Sequence, residues 1–241
     1  MKISIVVPAF NEEKLIAETL RAINAAREAF TPAAWESELI VCDNNSTDRT
    51  AELARAAGAT VVFEPVNQIA RARNCGAAAA TGDWIIFVDA DSQPTRELFA
   101  DVVEQIRGGR CLAGGVTVRL DPTPFVVVLV IGSWNAISRV MKWAAGSFIY
   151  CETAAFREVG GFSNELFVSE ELDLSIRLKK LARRKGRRMV ILTRHPLLTS
   201  ARKLHLYSHA EHAWFMLKTV LTGGRTLRAR DKCEIWYDGR R

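Results

Sequence analysis

The sequence predicts an α/β domain in which a mostly parallel central sheet carries helices on both faces. Three observations lead there. Short runs of Val, Ile and Phe alternate with helical patterns through the first half of the chain, the β-α-β order that yields parallel strands. At 241 residues, 49% hydrophobic and 25% charged, the chain can bury a large core and is too apolar to be disordered. Three predicted strands also end in clusters of polar residues, at the rim where open α/β sheets bind ligands.

The elements follow in order. Residues 3–7, Ile-Ser-Ile-Val-Val, read as the first strand. Over 12–30, Leu15, Ile16, Thr19, Leu20, Ile23, Ala26 and Phe30 share one helical stripe. A second strand at 39–42 leads to a helix over 48–57 that stops at Gly58. A third strand at 60–63 precedes a helix over 68–80, and a fourth occupies 84–88. Beyond a turn at Gln93-Pro94, a helix is expected over 95–107 and a strand over 111–120. An apolar helix at 125–137, a short strand at 148–151 and a helical patch ending at Gly160-Gly161 come next. The last helix, 170–184, sets Leu174, Leu178 and Leu181 on one face, and a late strand spans 189–192. No repeat, low-complexity tract or linker divides the chain, so one domain over 1–241 is expected.

Composition narrows the function classes. The longest apolar stretch falls short of the roughly 20 residues a membrane span needs, and Arg139 and Lys142 follow it. Residues 1–8 are too short an apolar run for a signal peptide and lack a small-residue cleavage site. Five scattered cysteines (42, 75, 111, 151 and 233) form no CxxC pair. They read as reduced thiols of a cytoplasmic protein, with Cys42 and Cys151 as small core residues. The net charge of +6 concentrates in 179–188 and after Gly223. Such a patch suits an anionic surface or complements a helix C-terminus; no nucleic-acid motif accompanies it, so nucleic acid is set aside. The segment 212–221 is amphipathic, open to capping the domain, forming a homodimer contact or docking peripherally on the inner face of a membrane.

Asp89-Ala90-Asp91 is the sharpest motif. Two carboxylates one residue apart at a strand end can share a hard divalent ion, Mg2+ or Mn2+, bridged to phosphate oxygens. Alone, the pair also reads as turn-forming aspartates. Asn11-Glu12-Glu13 and Asp43 with Thr47 and Asp48 have a similar double reading, as helix caps or as partners for a nucleoside. Ser169 is a natural cap for Glu170 and Glu171, which equally suit the first turn of a helix.

Six segments taken in order carry a resemblance. They are 6–13 (Val-Val-Pro-Ala-Phe-Asn-Glu-Glu), 42–50 (Cys-Asp-Asn-Asn-Ser-Thr-Asp-Arg-Thr), 72–83 with Arg73-Asn74, 87–94 with Asp89-Ala90-Asp91, 156–162 and 169–178. Together they resemble the family-two inverting glycosyltransferases of the GT-A fold, over residues 3 to 186. The resemblance implies transfer of a sugar from a UDP or GDP donor to an acceptor hydroxyl, a divalent metal, and a place in cell-envelope polysaccharide or glycolipid synthesis, with an acceptor that can be lipid-linked. It implies a nucleotide-sugar half over 1–92, an acceptor half over 93–200 and a C-terminal extension over 201–241.

By matching position, Pro8, Ala9, Asn11, Glu12, Asp43 and Asn45 become nucleoside contacts, and Arg73 and Asn74 flank the diphosphate. Asp91 becomes the main metal ligand and Asp89 the ribose or second metal contact. The family's Glu-Asp pair is Glu170-Glu171 here, which sets Glu171 at the catalytic base. Asp-Asn-Asn-Ser at 43–46 replaces a frequent Asp-Asp-Gly-Ser and alters the contacts to base or ribose. Arg202 or Lys203 is expected to close over the diphosphate, and His195 or His205 to complete the metal sphere. Two rivals remain at this stage. A nucleotidyltransferase would want a Gly-rich basic loop after strand one, which is absent from the sequence; an inactive nucleotide-binding module would have no need of Asp89, Asp91 and Glu171.

Overall fold

The computed structural model describes residues 1–121 and 125–200. Eight strands form one sheet: β1 (Lys2–Ala9), β2 (Glu36–Asp43), β3 (Thr60–Phe63), β4 (Trp84–Val88), β5 (Ser92–Gln93), β6 (Cys111–Asp121), β7 (Phe148–Glu152) and β8 (Arg188–Ser200). Their spatial order is β3-β2-β1-β4-β7-β6-β8-β5. The first four strands pair in parallel, as do β6 and β8, whereas β7 runs antiparallel to both β4 and β6. Among the described residues, seven α-helices accompany the sheet: α1 (Ile16–Ala26), α2 (Thr50–Ala56), α3 (Ile69–Ala79), α4 (Arg96–Arg107), α5 (Phe125–Met141), α6 (Thr153–Glu158) and α7 (Glu170–Arg184).

The sheet divides the core by side-chain alternation, since successive strand residues point to opposite faces. Ile3, Ile5 and Val7 of β1 pack with Ile16, Leu20 and Ile23 of α1 and with Leu98, Phe99 and Val102 of α4. Val6 and the β4 residues Ile85 and Phe87 face the opposite layer, with Leu174, Leu178 and Leu181 of α7. There Phe87 meets Phe162 edge-on at 5.1 Å and Phe156 at 5.2 Å. Helix α3 is rich in alanine and lies close against β1, where a Cβ on Gly76 would sit 2.4 Å from Val6 Cγ1. That close approach needs glycine, and the preceding turn of α3, with Arg73 and Asn74, lies toward the rim of the sheet.

Three predicted elements differ from the structure. The helix expected over 12–30 is α1 followed by a 3-10 helix, Arg27–Ala33, that contains Pro32; residues 11–15 are engaged in a turn instead. The late strand is longer than 189–192: pairing of β8 with β6 is interrupted after Leu192 and resumes at Leu197. Pro196 lies in the interruption, where a ladder donor is not required. Ser169 takes φ 67° and its side chain makes no cap hydrogen bond, so it is not the side-chain cap that the sequence suggests. Cys42 and Cys151 are buried, as expected. Arg202, Lys203, His205 and the 212–221 segment lie outside the described residues. Among the described residues, no helix is long and apolar enough to cross a membrane.

Candidate active site

Parallel pairing brings the carboxyl ends of β1, β2 and β4 together. Ala9 stands opposite Asp43, the Asn44 N–H donates to the Ala9 carbonyl at 2.8 Å, and Asp89 follows β4, its N–H donating to the Ser147 carbonyl at 3.2 Å. The loops after β1 and β2 are laced to each other. Asn11 takes φ 52°. Its Oδ1 accepts from the Thr47 N–H at 2.8 Å, and its N–H donates to Ser46 Oγ at 3.0 Å. The Glu12 N–H donates to Thr50 Oγ1 at 2.7 Å, and the Glu13 N–H to Asp48 at 3.1 Å. Asp43 Oδ1 accepts from the Ser46 N–H at 3.0 Å. Pro8 and Ala9 are buried inside β1, Glu12 and Asp43 are nearly so, and Asn45 is exposed, with its amide 3.1 Å from Asn67.

Arg73 is the centre of the second cluster. Its guanidinium is fully buried, an expensive position without counter-charge. Nη1 donates to Glu170 at 2.6 Å; Nη2 donates to Asp89 and to the Gly146 carbonyl, both at 2.9 Å. One cation from α3 thereby joins the end of β4 to the first turn of α7. The sequence reading set Arg73 beside a diphosphate; its fork donates to protein oxygens at this rim. Burial pulls this guanidinium down, but the charges of Asp89, Glu170 and Glu171 outweigh it and hold Arg73 above its ordinary value.

Glu171 shares this environment, with Arg73 and Glu170 as its charged neighbours. A Cβ on Gly146 would stand 3.6 Å from Glu171 Cγ and 3.1 Å from Arg73 Nη2, so glycine there leaves room for both side chains. Burial pushes the Glu171 carboxyl up to about 8, the Glu170 charge adds to the rise, and Arg73 opposes it. Burial raises Glu170 as well, again opposed by Arg73. The 2.6 Å ion pair makes the buried Glu170 the charged partner, so the proton retained by the two adjacent carboxyls falls to Glu171, which is half-buried.

Asp91 follows Asp89 by two residues, just before β5. It lines a cleft of about 290 Å3 with Glu18, Thr19, Gln93, Thr199 and Ser200. These carboxylates, hydroxyls and amide are the oxygen donors that Mg2+ and Mn2+ prefer, so the residues fit a divalent ion. Among the described residues no group of three or more His, Cys, Asp or Glu could hold a metal. An ion at Asp91 would therefore draw on water or phosphate oxygens, as Mg2+ commonly does. His195 is elsewhere: its Nδ1 lies 3.0 Å from Asp101 Oδ2 on α4.

Several contributors escaped the sequence reading. Asn44 is buried; its amide donates to the Glu64 and Val66 carbonyls, and its Oδ1 accepts from the Gln68 N–H at 2.9 Å. Gln68 in turn donates to the Asn164 and Leu166 carbonyls, both at 2.9 Å. Asn74, expected at the diphosphate, binds both the N–H and the carbonyl of Phe162 at 2.9 Å. These side chains tie the loops at the carboxyl ends of the strands to the loop before α7. A hydrogen-bonding Asn at a strand end was the one available signal, in Asn44 and Asn45, and the chain names no partner for it.

The sequence pattern of glycosyl transferase family 2 matches residues 4–157. A glycosyltransferase of Mycobacterium bovis is 34% identical over 144 residues, covering 57% of this chain and 60% of that protein. The dolichol-phosphate mannosyltransferase of Pyrococcus furiosus is 29% identical over 123 residues, 48% of this chain and 33% of its own length. Among solved structures, the mannosyltransferase of Pyrobaculum calidifontis in complex with GDP-Man and Mn2+ superposes with a TM-score of 0.64 at 21% identity, covering 90% of this chain and 60% of that one. The chain thus spans less than two thirds of the length of these relatives. With the GT-A fold in place and the family pattern covering more than half of its length, this chain belongs to glycosyl transferase family 2.

Proposed function

We propose that the protein transfers a sugar from a nucleoside diphosphate donor, UDP- or GDP-linked, to an acceptor hydroxyl in one displacement that inverts the anomeric centre. The observation that carries this reading is the convergence, through Arg73, of Asp89 at the end of β4 with Glu170 at the start of α7, beside Glu171. It joins a donor rim to a carboxylate able to take a proton. In the reaction, Glu171 accepts the proton of the acceptor hydroxyl as general base. The hydroxyl oxygen forms its bond to the anomeric carbon as the bond to the diphosphate oxygen breaks. Asp91, with Asp89 as a second contact, would hold a divalent cation that, when bound, offsets the leaving group's charge as a Lewis acid. Arg73 is a positioning residue: it fixes the Glu170 and Asp89 carboxylates and so the turn that presents Glu171.

The nucleoside face is formed by the loops that Asn11 and Asp43 hold together. Asn11, Glu12, Asp43 and Asn45 surround it, and Pro8 and Ala9 shape its floor from β1. The Pyrobaculum structure contains GDP-Man and Mn2+, which supports a nucleotide sugar and Mn2+ or Mg2+ as the ligands here. The Pyrococcus relative's name supports a lipid-linked acceptor and a role in envelope or glycolipid synthesis at the inner face of a membrane. Incubation with a panel of UDP- and GDP-sugars, with and without Mn2+, tests the reading by thermal shift. A donor that raises the unfolding temperature only with metal is the expected result; no shift from any of them contradicts it.

A further inference from the structure

On the far ends of α4 and α7 lies a cavity of about 430 Å3, lined by Gln105, Lys142, Lys179, Arg183, Arg187 and Arg188. These cations come from three separate stretches of chain: the end of α5, the end of α7 and the start of β8. Lys142 just past α5 and Lys179 and Arg183 of α7 can complement helix C-termini, whereas Arg188 lies in β8 and has no such role. Arg187 pairs with Glu152 at 2.7 Å, and Lys179 donates to the Met141 carbonyl at 2.7 Å. Among the described residues, Lys142, Arg183 and Arg188 have no carboxylate within salt-bridge distance, and the Arg187 Nε is buried without a hydrogen-bond partner. Like charges gathered around a concave space repel one another and favour an anion that enters it.

The neighbouring surface is apolar. Ile137, Val140 and Met141 are 47%, 79% and 39% exposed and follow the i, i+3, i+4 spacing of one helix stripe. The Lys179–Met141 hydrogen bond joins this stripe directly to the cationic cavity. On α7, Ile176 is 50% exposed, one turn before Lys179 and Lys180. A free phosphate has no use for exposed aliphatic side chains, and an apolar partner has none for unpaired cations. An anionic bilayer satisfies both, with headgroup phosphates against cations and aliphatic side chains at the acyl boundary.

We infer that this cavity and the adjoining edge of α5 form a docking site for an anionic phospholipid bilayer, with Lys142, Arg183 and Arg188 binding a headgroup phosphate and Ile137, Val140 and Met141 entering the interface. Membrane binding is read without substrate, so the inference stands or falls apart from the transfer reaction. The test is co-sedimentation of the full chain with vesicles of phosphatidylcholine alone or mixed equally with phosphatidylglycerol. Binding is expected only to the mixed vesicles and to weaken at high salt. Each basic residue near such a surface contributes about fivefold in affinity. The triple variant K142E/R183E/R188E should therefore lose at least about a hundredfold, and Val140→Asp should weaken binding with all charges in place.

Thermal unfolding checks that the variants, altered at exposed positions, remain folded; Arg183→Gln with Arg188→Gln serves as a milder pair. Four results would overturn the inference. One is that wild type fails to bind mixed vesicles; another is that the triple variant binds like wild type, placing attachment elsewhere in the chain; a third is that millimolar inorganic phosphate releases the protein while Val140→Asp changes nothing, which marks a site for soluble phosphate. Capture of an acidic protein by the same residues without vesicle binding is the fourth.

Discussion

Glu171 is held above the ordinary carboxylate range, at about 8 against 4.5, and this has two pH consequences. As a base it must be ionised, so kcat/KM should climb with pH to a shoulder near 8, set jointly by Glu170, Arg73 and Asp89, which face it. For stability, the folded protein keeps a proton that the unfolded chain releases between these two values. Stability therefore falls as pH rises from about 4.5 to about 8 and levels off beyond. Glu171→Gln should flatten that slope in urea titrations; an unchanged slope would place the raised carboxyl elsewhere. Arg73 gives a second residue-scale prediction. Arg73→Met leaves Glu170 and Asp89 without their buried counter-charge, and removal of one partner from such a pair costs about 3–5 kcal/mol. A large fall in unfolding temperature is expected, and a near-neutral change would contradict the central role of Arg73. The acids at these positions were legible because acidic residues at strand and helix ends stand out. The pairing of Arg73 with Asp89 and Glu170 was not, because it depends on α3 lying close to β4 and α7 in space.

At the scale of elements, the loop before α7 is held by side chains from α3 rather than by a cap at Ser169. Asn74→Ala removes two hydrogen bonds to Phe162 and leaves buried backbone groups unpaired, at about 1–3 kcal/mol. Because this loop leads into the turn of α7 that carries Glu171, acceptor KM should rise more than donor KM. Equal effects on both would mean that the loop does not position the acceptor side. Strands β1 to β4 and helices α3, α4 and α7 were readable from hydrophobic period alone. The continuation of β8 past Pro196 was not, since Thr193, Arg194 and His195 break the apolar pattern and turn outward, where Arg194 and His195 pair with Asp101. The two-residue β5 exists only because β8 reaches Ser200 to pair with it. A local reading cannot find a strand whose sole support is a distant partner.

For the whole molecule, the account requires a single rim where β1, β2, β4 and α7 act together. A donor that binds only the folded state should raise apparent stability with its concentration, by about 2.7 kcal/mol at a hundredfold excess over Kd. If Asp91 holds the cation, Asp91→Asn should abolish the metal-dependent part of that gain and keep the fold. The most direct measurement is a transfer assay on wild type and Glu171→Gln with the donor selected by thermal shift and a hydroxyl acceptor. The account predicts that the variant binds donor like wild type and loses about two to four orders of magnitude in turnover, the usual contribution of a general base. Undiminished turnover by a folded, donor-binding Glu171→Gln protein would contradict it.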